Sequence, residues 1–172
     1  MRILSIMTVA GIAVMAMAQQ PNQPPNQPRA PQPDKTFTSA ADVEAMIAKA
    51  KSERKPDQAN FNQPLLRLAP LAVNLEYRVE GIDTPATVHE KEAELIYVVD
   101  GAGTLTMGGK LVGERRTNAI NLAGTAVEGG TPQRISKGDY IFVPENTPHS
   151  FTKTQGRLVI MSVHIPHGGP AS

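Results

Sequence analysis

GIDTPATVHEKEAELIYVVDG, residues 81–101, decides how this chain is read, and GDYIFVPENTPH, residues 138–149, answers it. The first stretch alternates and is punctuated by glycine. Ala86–His89 reads as a short strand, and residues 94–99, ELIYVV, as a more fully buried one. Thr87 and His89 are two apart on a strand and therefore share a face. Glu94 lies on the strand that follows. His149 comes after the strand Tyr140–Val143, where Pro144 and Pro148 stiffen the approach. Two imidazoles and a carboxylate, His89, His149 and Glu94, are a donor set for a divalent transition metal, with coordination positions left open for substrate.

Outward from this centre the pattern is of many short strands. Leu71, Val73, Leu75, Tyr77 and Val79 alternate with mostly polar neighbours. Asp100-Gly101 reads as a turn, and Gly108-Gly109 between Thr104–Met107 and Lys110–Val112 as a hairpin. Residues 113–131 read as a long loop with short strands near Ile120 and Val127, placed to act as a lid or as a plain surface insertion. Ile135, Tyr140–Val143, Ser150–Lys153 and Arg157–Ile165 complete the strands. Regular short strands with turn signals predict an all-β sandwich or barrel, and a barrel of this size can hold one small ligand. Tyr97, Tyr140 and Phe142 are expected in its core.

The N-terminal third is of another kind. Residues 1–18 combine Arg2, an apolar run and Ala16-Met17-Ala18, which reads as a secretory signal; the run is short for a membrane span of ~20 residues. Residues 19–36 are rich in Pro, Gln and Asn, with PNQP repeated, and read as a disordered spacer. Residues 37–56 predict one helix: Ser39 and Asp42 resemble a capping box, Val43, Met46, Ile47 and Ala50 form an apolar stripe, and Pro56 stops it. That stripe is expected to lie on the outside of the barrel or against a partner subunit. The barrel takes 57–167, and 168–172 is a tail.

Composition narrows the functional classes. The chain has 17 basic and 16 acidic residues, and Arg2 lies in the expected signal, so no basic excess marks a nucleic-acid surface. The absence of cysteine excludes disulfides, thiolate metal sites and a cysteine nucleophile. Aromatic content of 4% requires a mostly aliphatic core. Ser150 has no Gly-x-Ser-x-Gly context, and no catalytic acid or base stands out. His167, beside Gly168-Gly169, is expected in the tail.

The two segments resemble the motifs of the cupin superfamily. The first motif is Gly, five residues, His-x-His, three or four residues, Glu, six residues, Gly; Gly81, His89, Glu94 and Gly101 match it. The second is Gly, five residues, Pro-x-Gly, two residues, His, three residues, Asn; Gly138, Pro144 and His149 match it. The resemblance covers roughly residues 65–165 and implies an all-β, jelly-roll cupin barrel preceded by one helix. Three positions depart from it. Asn146 stands for Gly and Lys153 for the final Asn, while Thr87 takes the place of the first motif His and so removes one of four metal ligands. The resemblance implies a metal site of His89, Glu94 and His149, with Thr87 or His164 as a fourth ligand or water-holding group. Iron, manganese, nickel, cobalt and zinc all suit such a set. It further implies a small-molecule ligand and a homodimer. The functional expectation is a periplasmic or secreted metalloenzyme on a small oxygenated molecule, of dioxygenase or isomerase/lyase type, with no membrane attachment after signal cleavage. The alternative is a non-catalytic cupin that binds a small ligand or metal. A structural module is the third reading, and it would have its barrel filled by aliphatic side chains.

Overall fold

A computed structural model describes residues 33–167. The expected signal and most of the spacer, with the tail, lie outside the described residues. Within them the spacer ends before Thr36, because Lys35 already forms an isolated β-bridge with Arg67, their amides and carbonyls exchanging two hydrogen bonds of 2.8 Å.

One helix, α1 (Ala40–Glu53), precedes eleven strands. Both arms of the capping box form: Ser39 Oγ accepts from the Asp42 amide at 3.1 Å, and Asp42 Oδ2 accepts from the Ser39 amide at 3.0 Å. Phe37, expected inside the helix, precedes this cap and is exposed. The helix ends before Lys55 and Pro56, because Arg54 is its C-cap and its guanidinium turns onto the carbonyls of Lys55, Pro56 and Gln58.

The strands are β1 (Phe61–Leu68), β2 (Leu71–Val79), β3 (Ala86–His89), β4 (Glu92–Met107), β5 (Lys110–Val112), β6 (Arg115–Arg116), β7 (Asn121–Gly124), β8 (Ala126–Glu128), β9 (Thr131–Ser136), β10 (Tyr140–Val143) and β11 (His149–Pro166). Nine of them form one sheet, in which β1, β2, β11, β3, β7 and β6 follow one another and β4 pairs with β9, β10 and β11. The long strands β4 and β11 run antiparallel along most of their length and tie the two halves of the jelly-roll barrel together.

Three sequence expectations change here. Asp100-Gly101 is not a turn but a bulge in the continuous strand β4, where Gly101 adopts φ 81° against the backbone of Arg157. Gly108 and Gly109 do turn the chain, both at positive φ, but no β4–β5 hairpin results. Met107 is already paired with Thr131 on one edge and His149 on the other, so β5 pairs with β8 instead. Residues 113–131 hold the short strands expected near Ile120 and Val127, as β7 and β8, but also a further one, β6, and β7 joins the sheet beside β3.

Two apolar clusters stabilise the fold. Inside the barrel, Ile96, Val98, Leu105, Ile135, Ile141, Val143, Phe151, Leu158 and Ile160 pack together. The second cluster sits outside it. Val43, Met46, Ile47 and Ala50 of α1 cover Leu65, Leu75, Tyr77 and Val159, as the apolar stripe predicts for a helix on the barrel's outer surface. The aromatic expectation fails: β10 turns Ile141 and Val143 inward, which leaves Tyr140 and Phe142 exposed, and Tyr97, at the outward phase of β4, is half-buried against the Tyr140 ring at 4.7 Å. Covering the outside of β2 with a helix has a consequence for its other face. The alternate residues Glu76 and Arg78, charged and buried, point into the barrel.

Candidate metal centre and substrate cavity

The inward faces of β3, β4 and β11 meet at one end of the barrel. Thr87 and His89 come from β3, Glu94 from β4, and His149 and His164 from the two ends of β11. Register does the placing: Thr87 lies opposite His149, and His164 lies opposite Glu94. Glu94 is the hub. Its Oε2 is 3.2 Å from His149 Nε2 and 3.9 Å from His89 Nε2, and its Oε1 is 3.9 Å from His164 Nε2. The donor atoms of His89, Glu94 and His164 all lie within 4.8 Å of one another. The His89 ring is 4.3 Å from that of His164 and 5.3 Å from that of His149, centroid to centroid. His164 thus stands beside Glu94 and His89. Thr87 is there too, with Oγ1 3.1 Å from His149 Nε2.

The far side of each ring explains why the near side is available. His89 Nδ1 is 2.9 Å from Asn121 Oδ1, and His149 Nδ1 is 3.0 Å from the Thr147 carbonyl oxygen. Both partners only accept, so each Nδ1 carries the proton and each Nε2 presents a lone pair. His164 Nδ1 is 3.5 Å from Glu92 Oε2, without hydrogen-bond alignment. Glu92 therefore stands behind His164 rather than among the donors. His167 is not frayed: its amide donates to the Lys91 carbonyl at 2.9 Å, and its ring pairs with Glu145 at 3.0 Å.

Electrostatics at the hub favour a cation. Burial alone would raise the Glu94 pKa, but the hydrogen bond with His149 and the charges of His149, His164 and His89 outweigh it, and the group sits below its ordinary 4.5. Burial is the main reason His89 lies below its ordinary 6.5; nearby His164 and His149 push the same way, against Asn121 and Glu94. An ionised carboxylate beside a neutral imidazole is the protonation state that metal ligation needs. His149 Nε2 and Glu94 Oε2 face each other at 3.2 Å, a contact satisfied either by a proton on Nε2 or by a metal ion between the two atoms. The residues present therefore fit a divalent cation.

The centre opens into a cavity of about 370 Å³, also lined by Asn60, Glu76, Arg78, Arg115 and Phe151. Sequence reading missed Asn121 and this second group. Asn121 sits in the stretch read as a loop with short strands, and Glu76 and Arg78 are polar neighbours in an alternation that does not by itself say which side faces the barrel. The signal was there: a helix laid on the barrel's outside needs an apolar outer stripe, which Leu75 and Tyr77 supply, and that phase sends Glu76 and Arg78 inward.

No family model matches this chain, and no curated protein matches it in sequence. Its fold has relatives among solved structures. A candidate sugar phosphate isomerase from Acidithiobacillus ferrooxidans superposes with TM-score 0.52 at 22% identity, covering 76% of this chain and 75% of its own. A Bacillus halodurans protein gives 0.51 at 18%, covering 79% and 85%. A Klebsiella pneumoniae protein with a double-stranded β-helix domain gives 0.50 at 14%, covering 67% and 84%. The chain has the double-stranded β-helix fold, the fold that the resemblance of its two motif segments implied.

Proposed function

We propose that this chain is a metal-dependent enzyme acting on a small oxygenated molecule, with His89, Glu94, His149 and His164 as the ligands of one divalent transition metal. The observation that carries the reading is the convergence of three Nε2 atoms on one buried carboxylate, two of them with Nδ1 held by acceptors. His164 supplies from β11 the imidazole that Thr87 does not supply from β3. When bound, the metal provides Lewis-acid polarisation of a substrate oxygen, suited to isomerase or lyase chemistry, or, as iron, dioxygen chemistry.

The chain's own residues do the rest. Asn121 and Thr147 fix two ring orientations, the hydroxyl of Thr87 stands 3.1 Å from His149 Nε2, and an apolar cluster fills the barrel interior beside the site. An open polar cavity tells against the structural-module reading, which needs a filled barrel. One observation favours a non-catalytic binder. Glu76, the carboxylate outside the ligand set, already accepts from Asn60, Arg78 and Ser162 and so is a poor general base.

Elemental analysis of purified wild type, H149A and H164A tests the proposal. Roughly one equivalent of iron, manganese, nickel, cobalt or zinc is expected in wild type, lost in both variants. No metal in any of the three, even after reconstitution, would move the function to metal-free binding. The proposed setting is the bacterial envelope, on the strength of residues 1–18, and the proposed assembly is a homodimer. Cell fractionation and sedimentation test these two points.

A further inference from the structure

The cavity contains a second polar centre that the metal reading does not use. Arg78 is 6% exposed, deep in β2, and its guanidinium carbon lies 4.3 Å over the Phe151 ring. The same Phe151 ring stands edge-on to His149 at 6.4 Å, so a single side chain separates the guanidinium from a proposed metal ligand. Arg78 Nη2 donates to Glu76 Oε2 at 2.7 Å. Among the described residues, its Nε and Nη1 are buried and have no hydrogen-bond partner. Buried donors of a charged group are costly to leave unmatched, and an arginine held in this way is a fork waiting for an oxyanion.

Glu76 shows that the fork is held open rather than quenched. Its charge is shared among three donors, Asn60 Nδ2 at 2.6 Å, Arg78 Nη2 at 2.7 Å and Ser162 Oγ at 2.6 Å. Asn60 is fixed by the same bond, which leaves its Oδ1 buried without a donor. Two unmatched buried donors and one unmatched buried acceptor therefore belong to residues that line one cavity of about 370 Å³. Arg115 is the other guanidinium on its wall; Glu76 and Glu94 balance the two arginines, and a divalent cation at Glu94 would leave a net positive charge that attracts an anion.

We propose that Arg78 receives the carboxylate of a small hydroxy-carboxylic acid and that Asn60 Oδ1 accepts from one of its hydroxyls, which makes a hydroxy-acid the substrate class. This rests on the reading of the cavity as the substrate site.

Calorimetric titration of the full chain, metal-loaded and chelator-treated, tests it with glycolate, tartrate, gluconate, the neutral polyol sorbitol and inorganic phosphate. The variants are Arg78→Lys and the paired Glu76→Gln/Arg78→Met, which removes both buried charges and so avoids stranding the carboxylate. At least one of the carboxylates is expected to bind both forms of wild type, with sorbitol and the paired variant weaker by at least about tenfold and Arg78→Lys also weakened. Equal binding of gluconate and sorbitol, tighter binding of phosphate than of every carboxylate, full affinity in the paired variant, or no carboxylate binding at all would overturn it. Metal retention without carboxylate binding would sink this inference alone. Carboxylate binding by a protein that takes up no metal would sink the metal reading alone.

Discussion

Replacing Asn121 by alanine should weaken metal binding without unfolding the barrel. Asn121 lies opposite His89 in the β3–β7 register, and its side chain gives Oδ1 to His89 Nδ1 at 2.9 Å. Alanine keeps the backbone pairing and removes only the acceptor. His89 is largely buried, so its Nδ1–H then either stays unsatisfied, at a cost of about 1–3 kcal/mol, or moves to Nε2. The second outcome turns the ligand atom into a donor facing the other rings. Either penalty falls on the metal-bound state, which requires the Nε2 lone pair. Loss of such an outer partner weakens metal affinity by about 10–100-fold, or about 1.4–2.8 kcal/mol. Cobalt titration read by visible absorption, in competition with a chromophoric chelator, measures the shift, and circular dichroism checks the fold. Asn121→Asp keeps an acceptor and should bind within a few-fold of wild type. A folded N121A with wild-type affinity would refute the idea that Asn121 sets the ligand geometry.

Gly81 and Gly101 share a φ of 81° but not their surroundings: a Cβ on Gly81 meets open space, whereas on Gly101 it overlaps the Arg157 carbonyl. Denaturant unfolding should show G81A destabilised by about 1–2 kcal/mol and G101A by at least about 4; equal losses would contradict the bulge geometry. Leu75 is fully buried against α1 on the outside of the barrel, so L75A should cost about 2–5 kcal/mol in urea while metal content stays at the wild-type level. Unchanged stability would mean that the helix does not pack there. The hydrogen bonds from Ser39 hold Asp42 below its ordinary 3.8, so its contribution to stability is fully present above 3.8 and is lost as pH falls through the lower folded value. The stability gap between wild type and S39A should therefore narrow on acidification below that range, down to the share of the Asp42 amide bond to Ser39 Oγ, which does not titrate; a gap that stays constant in thermal melts across pH would rule out a charged Asp42 arm of the capping box.

Much of the barrel was legible because its motif positions answer to backbone geometry. Gly81, Gly101 and Gly138 all adopt positive φ, and so do the two departures, Asn146 at φ 54° and Lys153 at φ 49°. His89, Glu94 and His149 were legible because few residue types ligate metals and their spacing is set by strands and turns. What was illegible depends on tertiary pairing. The Gly108-Gly109 turn could be read, but not that both edges of Met107 were already filled. His164 could be named but not placed, since β11 shifts register between Thr152 and Gln155, again before Leu158 and again at Val159. Each shift changes which residues face inward, and no count along the sequence carries through three of them. The result bears on the departure that looked most damaging. Thr87 lies opposite His149 with its hydroxyl 3.1 Å from Nε2, while the ring gained in β11 lies opposite Glu94. Three imidazoles therefore stand around the carboxylate, and in the proposed metal site His164 of the last strand takes the place of the imidazole missing at Thr87.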